Sequence, residues 1–239
     1  MTHRRYFHIR KENIRGKYGF IEPGEARHIR SVCRMEKGDT VHLLDGVGGV
    51  YRAELLEFSP SGGRVLLQES VTRKKGFSPD MAIALIKAGR MDAAVEKCAE
   101  IGTGSIIPFA CARTVWRGGG GSAGKKRERL RRKVIAACKQ SGNPFFPEVE
   151  PVIDMNGLLK KLSGYDQVYL ADRRGRRVSA AGKGRVIGVV GPEGGLSADE
   201  VEKLVSAGGI PVSLGENRLR AETAAACLLF CLKAAGGSG

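Results

Sequence analysis

Two glycine-containing turns near the carboxyl end place the strongest constraint on the fold of this 239-residue chain. The apolar run Val186–Val190 leads directly into the turn Gly191–Gly195, and a second, charged turn, Leu214–Arg220, leads into an apolar helix. Open α/β sheets build ligand crevices from a buried strand, a glycine turn, a helix and a further strand. We therefore expect the functional site at the carboxyl ends of strands in this part of the chain.

The turn Gly191–Gly195 has the features of a rigid ligand-binding loop rather than a phosphate loop. Ser197 and Glu200 have the spacing of a capping box, which predicts that a helix begins immediately after the turn. Glu193 lies within the turn, where its carboxylate would repel a phosphate, and no lysine follows as in a P-loop. The glycines let a ligand approach the backbone closely. The pattern favours a neutral or cationic ligand.

Strand and helix patterns alternate from Met81 to the end of the chain, which predicts a mainly parallel sheet covered on both faces. Met81–Ile86 is a continuous apolar strand, and Met91–Ile101 is an amphipathic helix that Gly102 ends. The expected class is therefore α/β, over residues 81–239.

Residues 1–72 show a different pattern. Val41–Asp45 and Tyr51–Leu56 flank a glycine turn as in a hairpin, and Arg64–Gln68 is a further strand. A helix from Pro23 to about Arg34 is also expected. Short strands with glycine turns suggest a small β-barrel, a fold that often binds nucleic acid. Residues 73–80 have the composition of a linker.

The formal net charge of +15 is concentrated in the first 190 residues, because residues 191–239 contain four Lys/Arg and six Asp/Glu. This asymmetry favours a polyanionic partner, with nucleic acid first, over a merely solvated basic surface. Seven of the nine residues from Lys125 to Lys133 are basic and begin a predicted helix, where they oppose the helix dipole. The glycine-rich stretch 117–124 before them is expected to be a flexible loop rather than a phosphate cradle.

Several classes of protein are not supported by the sequence. No apolar run approaches the roughly 20 residues of a spanning helix, and no secretory h-region follows the N-terminus. The six cysteines form no Cys-x-x-Cys pair and are expected to be reduced and buried, with Cys227 and Cys231 on a core face. No histidine has metal-ligand spacing. The expectation is a cytoplasmic protein with no membrane span and no metal.

The two carboxyl-terminal turns, taken together with Leu219–Ala224, resemble the RsmE family of small-subunit (16S) rRNA uridine-N3 methyltransferases, which belong to the SPOUT class. The likeness extends over nearly the whole chain. Further segments resemble family motifs: Arg5–Phe7, Asp45-Gly46, Lys87 with Arg90–Asp92, Lys97–Gly102, Arg113–Val115 and Gln140–Gly142.

The resemblance implies a PUA-like barrel that grips rRNA and a SPOUT α/β domain with a trefoil knot. The knot loops would hold S-adenosylmethionine, and a homodimer would place the site near the subunit interface. The substrate would be rRNA, within the assembled small subunit. By motif match, the residues of the cofactor loops would be Gly191, Glu193, Gly194, Gly195, Leu214, Gly215, Leu219, Thr223 and Ala224.

Catalytic roles are assigned on the same basis. Arg220 would stabilise negative charge on the uracil carbonyls, and Glu222 would either accept the N3 proton or orient Arg220. Arg5 would reach the RNA or the base. The candidates for RNA contact are Arg4, Arg5, Arg113, Arg117, Lys125, Lys126, Arg127, Arg129, Arg131 and Arg132.

The chain departs from the family pattern at three positions. Arg218 stands where an aliphatic residue is usual, and Lys139 and Asn143 stand where Glu and Arg are common. Two alternatives also stay open: another SPOUT methyltransferase acting on tRNA or on a ribose 2′-oxygen, and a non-catalytic rRNA-binding assembly factor.

Overall fold

The computed structural model describes residues 5–114, 120–178 and 184–236. These residues form two compact units. The first comprises the chain up to Lys75 together with Ile135–Phe146, and the second comprises Gly76–Val134 and the chain from Pro147 onward.

The first unit is built on a six-stranded sheet with the order β1-β4-β5-β6-β3-β2. Only β1 and β4 are parallel among its described pairings. The hairpin of β5 and β6 shifts register at Arg52/Ala53 and Leu55/Glu57. Irregularities of this kind bend a strand and help a sheet curl around its core. The strands are β1 (Tyr6–His8), β2 (Ile14–Arg15), β3 (Tyr18–Ile21), β4 (Thr40–Leu44), β5 (Gly49–Ser59) and β6 (Gly62–Thr72).

The predicted hairpin and helix of this unit are confirmed with small shifts. Helix α1 (Pro23–Arg27) begins with proline in its first turn and continues as a π-helical turn over His28–Val32. Ile29 and Ala26 bury the inner face of this segment. The helix therefore ends two residues before the predicted Arg34, which adopts a left-handed conformation with φ +55°.

Residues 135–146 belong to the first unit, and they contact the turn that joins β4 and β5. The amide of Gly48 donates to the carbonyl of Pro144 at 2.9 Å, and the amide of Phe146 donates to the carbonyl of Gly46 at 2.9 Å. The carboxylate of Glu25 accepts two hydrogen bonds from Lys139, at 2.8 and 2.9 Å, in a largely buried ion pair. These contacts attach the end of a long helix, and the residues that follow it, to the first unit.

The second unit has the predicted parallel sheet. Its order is β12-β10-β11-β7-β8-β9, and each described pairing is parallel. Strands β7, β8 and β9 follow one another towards one edge of the sheet. After β9 the chain returns across the sheet, and β10, β11 and β12 lie on the other side of β7. The strands are β7 (Asp80–Ala84), β8 (Ser105–Phe109), β9 (Glu148–Val149), β10 (Gln167–Arg176), β11 (Val186–Val190) and β12 (Gly209–Val212).

Helices separate these strands. Gly102, with φ +94°, ends α2 in the left-handed conformation that glycine adopts readily. Asp154 caps α4 by accepting a hydrogen bond from the amide of Gly157 at 2.7 Å. The helices are α2 (Ala88–Ile101), α3 (Gly120–Ser141), α4 (Met155–Leu162), α5 (Ala198–Ser206) and α6 (Ala221–Gly236).

Helix α3 begins earlier than predicted. Its first residue is Gly120, so residues 120–124 are helical rather than part of a flexible loop. Glycine in a helix costs only about 1 kcal/mol relative to alanine, which a long, packed helix can absorb. Lys125 is therefore beyond the first turn, where the helix dipole has little effect. The predicted conflict between these cations and the dipole was wrong.

Candidate active site

A cavity of about 700 Å³ lies at the carboxyl ends of β10, β11 and β12, where the sequence predicts a crevice. Its volume lies within the range of small-molecule sites, and its wall combines apolar side chains with a few polar groups, as such sites do. The apolar part of the wall includes Leu170, Val190, Leu196, Val212, Leu214, Leu219 and Ala224. The charged part contains Arg90, Asp172, Arg173, Arg174, Glu193, Arg218 and Arg220.

The turn Gly191–Gly195 forms one side of the cavity. The amide of Gly195 donates to the carbonyl of Pro192 at 2.8 Å, which closes the turn. Gly195 has φ +71°, a conformation that favours glycine. At Gly191 a Cβ atom would lie about 3.0 Å from the side chain of Leu196, so the turn packs closely against Leu196 at this point. Because the turn is rich in glycine, a ligand in the cavity can approach its backbone closely.

Three arginine side chains bind this turn. Arg90 forms an ion pair with the carboxylate of Glu193 at 3.2 Å. Arg113 donates to the carbonyl of Gly194, and Arg218 donates to the carbonyl of Glu193, each at 2.7 Å. These contacts fix two successive carbonyls of the turn. The ion pair with Arg90 also compensates the negative charge that Glu193 brings into the glycine turn.

The capping box predicted at the start of α5 is confirmed. The hydroxyl of Ser197 accepts from the amide of Glu200 at 3.2 Å, and the Glu200 carboxylate accepts from the amide of Ser197 at 2.8 Å. The same carboxylate accepts from the amide of Ala112 at 2.7 Å. Glu200 is buried. It therefore ties the segment carrying Arg113 to the helix that follows the glycine turn.

The second turn and the first residues of α6 form the opposite part of the wall. Leu219, Arg220, Ala221 and Ala224 line the cavity. Glu222 and Thr223 do not, because residues three apart share a helix face and the two between them point elsewhere. One carboxylate oxygen of Glu222 is buried and has no hydrogen-bond partner among the described residues. Within the described parts of the chain, no ion pair joins Arg220 to Glu222.

The structure thus brings together eight of the nine residues expected in the cofactor loops, the exception being Thr223. It also adds wall residues that sequence reasoning did not assign, among them Asp172, Arg173 and Arg174. A signal for these was present, because they follow the apolar run Val168–Ala171 and so lie at the carboxyl end of a parallel strand.

The candidates for RNA contact on α3 divide into two groups. Arg127 and Arg129 are ion-paired within the unit, to Glu148 and Asp92 respectively, and Arg127 also donates to the carbonyl of Val149 at 2.7 Å. These two guanidinium groups therefore stabilise the fold. In contrast, Lys125, Arg131 and Arg132 are exposed, and Lys126 is partly exposed.

The remaining candidates lie elsewhere. Arg5 is exposed immediately before β1, in the first unit. Arg4 and Arg117 lie outside the described residues. Arg113 contacts the glycine turn, as described above, and its side chain is exposed.

Within residues 5–114, 120–178 and 184–236, no group of three or more His, Cys, Asp or Glu side chains could hold a metal ion. Cys98 and Cys138 are buried, while the other four cysteines are partly exposed. Burial raises the pKa of the Cys98 thiol to about 12. Among the described helices, none is both long and apolar enough to cross a membrane.

Comparison with known proteins assigns the class of both parts of the chain. Residues 74–233 match a family model described as an RNA methyltransferase domain, and residues 21–62 match an RNA methyltransferase PUA domain. The fold and the cavity thus belong to an RNA methyltransferase.

Relatives give the particular family. The ribosomal RNA small subunit methyltransferase E of Bacillus subtilis is 31% identical, with 92% of each chain covered. The enzyme of the same name from Mycobacterium bovis is 32% identical, with 90% of this chain and 85% of the relative covered. A crystal structure of the Neisseria gonorrhoeae enzyme bound to S-adenosylmethionine has a TM-score of 0.87 at 25% identity, covering 98% of each chain. This chain belongs to the ribosomal RNA small subunit methyltransferase E family.

Proposed function

We propose that this protein transfers a methyl group from S-adenosylmethionine to N3 of a uridine in small-subunit (16S) rRNA. The observation that carries the proposal is the cavity between the two glycine-containing turns, in a chain whose relatives carry this enzyme name and whose Neisseria gonorrhoeae relative binds the donor. We place the reaction in the cytoplasm, where bacterial rRNA is made.

The donor fits the residues present. The glycines of the first turn let a ligand approach the backbone, and apolar side chains cover much of the wall. We assign donor binding to Gly191, Glu193, Gly194, Gly195, Leu214, Gly215, Leu219 and Ala224. When bound, the donor supplies a methyl group activated by its positively charged sulfur.

The protein's own contribution is mainly positioning, which can supply roughly 7–11 kcal/mol of the barrier reduction in a reaction between two bound partners. Uridine N3 carries a proton that must leave as the new carbon–nitrogen bond forms. Arg220, an exposed cation on the cavity wall, would donate hydrogen bonds to the uracil carbonyls and so stabilise the negative charge left on the ring.

Glu222 has two possible roles in this scheme. It would accept the N3 proton, or it would orient Arg220. Glu222 itself does not line the cavity, and one of its carboxylate oxygens is buried without a hydrogen-bond partner among the described residues. A buried oxygen of this kind is costly unless a partner group satisfies it, so both roles are retained in the proposal. Thr223 is exposed near the start of α6 and does not line the cavity, so it is not assigned to donor contact.

Three further features belong to the same proposal. Residues 1–72 would act as the rRNA-gripping PUA-like domain and residues 81–239 as the SPOUT domain, with 73–80 as their linker. The turns around the cavity would form part of a trefoil knot. The protein would act as a homodimer, with the site near the subunit interface.

The test is mass mapping of methylated nucleotides after incubating the protein with S-adenosylmethionine and unmodified small ribosomal subunits. We expect one N3-methyluridine in the small-subunit rRNA. A methyl group on tRNA or on a ribose oxygen would instead identify another SPOUT activity. No methylation and no donor binding would leave a non-catalytic rRNA-binding protein.

A further inference from the structure

Next to the donor cavity lies a short arginine-rich segment that the roles above do not use. Strand β10 ends at Arg176. We call the segment Arg173-Arg174-Gly175-Arg176-Arg177, which includes the end of this strand and the residue after it, the arginine arm. Arg173 and Arg174 line the cavity, and all four arginines are exposed. Four cations within five residues repel one another, so their clustering calls for a physical reason.

The backbone of the arginine arm is fixed by its pairing with β12. Ala171 and Arg176 both pair with Val212 of β12, so the four residues between them bulge out of the ladder. Such bulges redirect side chains and are frequent beside active sites. The amide of Ser213 donates to the carbonyl of Arg176 at 2.8 Å, which returns the chain to the sheet.

Gly175 is required for this path. A side chain there would lie about 2.3 Å from the backbone of Pro211, so only glycine permits the close approach of the arm to β12. Asp172 fixes the other end. Its carboxylate accepts from the backbone amide of Arg174 at 2.8 Å and pairs with the guanidinium of the same residue at 3.2 Å. The Arg174 guanidinium beside Asp172 holds the pKa of this carboxyl below its usual value.

The other three arginines have no such partner. Within residues 5–114, 120–178 and 184–236, no ion pair or side-chain hydrogen bond involves Arg173, Arg176 or Arg177. This distinguishes the arm from α3, where Arg127 and Arg129 are paired internally. The arm thus presents guanidinium groups in an ordered backbone that begins at the cavity wall. Arg176 and Arg177 have no acidic partner among the described residues, whereas the charge of Arg173 also helps to lower the pKa of Asp172.

We propose that the arginine arm binds successive phosphates of the RNA strand that carries the target base, and so holds this strand across the mouth of the donor cavity. This inference rests on the proposed function. Guanidinium groups match phosphate oxygens in bidentate geometry, and phosphate contacts fix register without reading sequence.

The test uses the full chain with Arg176→Ala/Arg177→Ala. These two residues do not line the cavity, so donor binding is a clean control. The matched control variant is Lys160→Ala/Lys203→Ala, which removes the same charge from exposed positions on α4 and α5 outside the cavity wall. Binding of a single-stranded small-subunit rRNA fragment is measured from 50 to 300 mM salt, together with donor binding and methylation of small subunits.

We expect the arm variant to bind the fragment at least about fivefold more weakly. The slope of log affinity against log salt should flatten by about 1.4, because each lost phosphate contact on a single strand contributes about 0.7. KM for RNA should rise with little change in kcat, and the donor Kd should stay unchanged. The control variant should match the wild type.

Two results would overturn the proposal. Fragment affinity and salt slope equal to those of the wild type would show that the arm does not contact RNA. Normal binding of the fragment combined with weakened binding of whole subunits would assign the arm to a ribosomal protein instead. Failure of the proposed function is distinct, because the wild type itself would then neither bind donor nor methylate subunits.

Discussion

At the scale of single residues, the site depends on arginines that serve different purposes. Arg218 and Arg113 hold carbonyls of the glycine turn, and Arg90 neutralises Glu193, whereas Arg220 has no described partner and lines the cavity. Motif reasoning located the turn and Arg220 in the sequence. It did not predict the hydrogen bond from Arg218 to the carbonyl of Glu193, which lies 25 residues earlier in the chain. The two turns come close enough for this contact only in the folded protein.

Replacing Arg220 with Ala tests the proposed role of this residue in the reaction. The loss of one donor to developing negative charge typically lowers kcat by 10²–10³-fold. We expect a decrease of this order in the single-turnover methylation rate, with donor Kd unchanged. Arg220→Lys should recover part of the rate because it retains the charge. A normal rate in Arg220→Ala would remove this residue from the mechanism.

Arg218 is expected to act as a positioning residue. Arg218→Leu restores the aliphatic type usual in the family but removes the hydrogen bond to the carbonyl of Glu193. A charged hydrogen bond at an exposed site is worth about 1 kcal/mol, so donor affinity should fall about fivefold in calorimetry. Lys203→Leu, an exposed change on α5, is the matched control. An unchanged donor Kd in Arg218→Leu would show that the turn holds its shape unaided.

At the scale of elements, α3 shows where periodicity succeeds and where it fails. The apolar stripe through Val134 and Cys138 predicted a packed helix, and both residues are buried. The start of the helix was misplaced because glycine propensity is a local signal, and the packing of the whole helix outweighs it. The ion pairs of Arg127 and Arg129 were also invisible in sequence, since Glu148 and Asp92 belong to other elements.

Lys139, which stands where the family commonly has Glu, forms an ion pair with Glu25 in the first unit. The side chains of Glu25 and Lys139 are only 16% and 19% exposed, so removing one partner leaves a poorly solvated charge. We expect Lys139→Ala to lower the free energy of unfolding by about 2–3 kcal/mol in urea titrations. Adding Glu25→Gln to Lys139→Ala should recover part of this loss, because the neutral side chain carries no buried charge and its amide oxygen can still accept from the backbone amide of His8. Equal stability of Lys139→Ala and wild type would mean that the pair contributes nothing.

His8 makes stability depend on pH. Burial lowers the pKa of its imidazole below 6.5; Glu25 and Glu22 oppose this shift, and Lys139 and Arg10 add to it. Between the lowered value and 6.5 the unfolded chain binds the proton more readily, so stability falls as pH decreases through this window. We expect a lower urea midpoint at pH 5.5 than at pH 7.5 and a weaker pH dependence in His8→Gln.

The control for this pH effect is His28→Gln, a change at an exposed histidine of the same unit. It should retain the wild-type pH dependence. If His8→Gln and wild type lose stability equally between pH 7.5 and 5.5, the imidazole of His8 is not the group responsible.

At the scale of the whole molecule, the class of fold follows from sequence more readily than the division of the chain. Alternation of apolar strands and helices predicted the parallel sheet of the second unit, and the strand-end rule predicted the location of its cavity. The membership of Ile135–Phe146 in the first unit was not predicted, because it depends on backbone hydrogen bonds to Gly46 and Gly48, about 100 residues away. Such long-range pairings leave no periodic pattern.

Calorimetric titration of S-adenosylmethionine into the wild-type protein and into Ala224→Trp tests the central claim most directly. Ala224 lines the cavity, so an indole there would occupy space needed by the donor, whereas Val205→Trp places the same group at an exposed position of α5 outside the wall. We predict saturable binding by the wild type and by Val205→Trp, and a loss of at least 100-fold in affinity for Ala224→Trp. Undiminished binding in Ala224→Trp, or no binding by the wild type, would contradict the assignment of this cavity to the methyl donor.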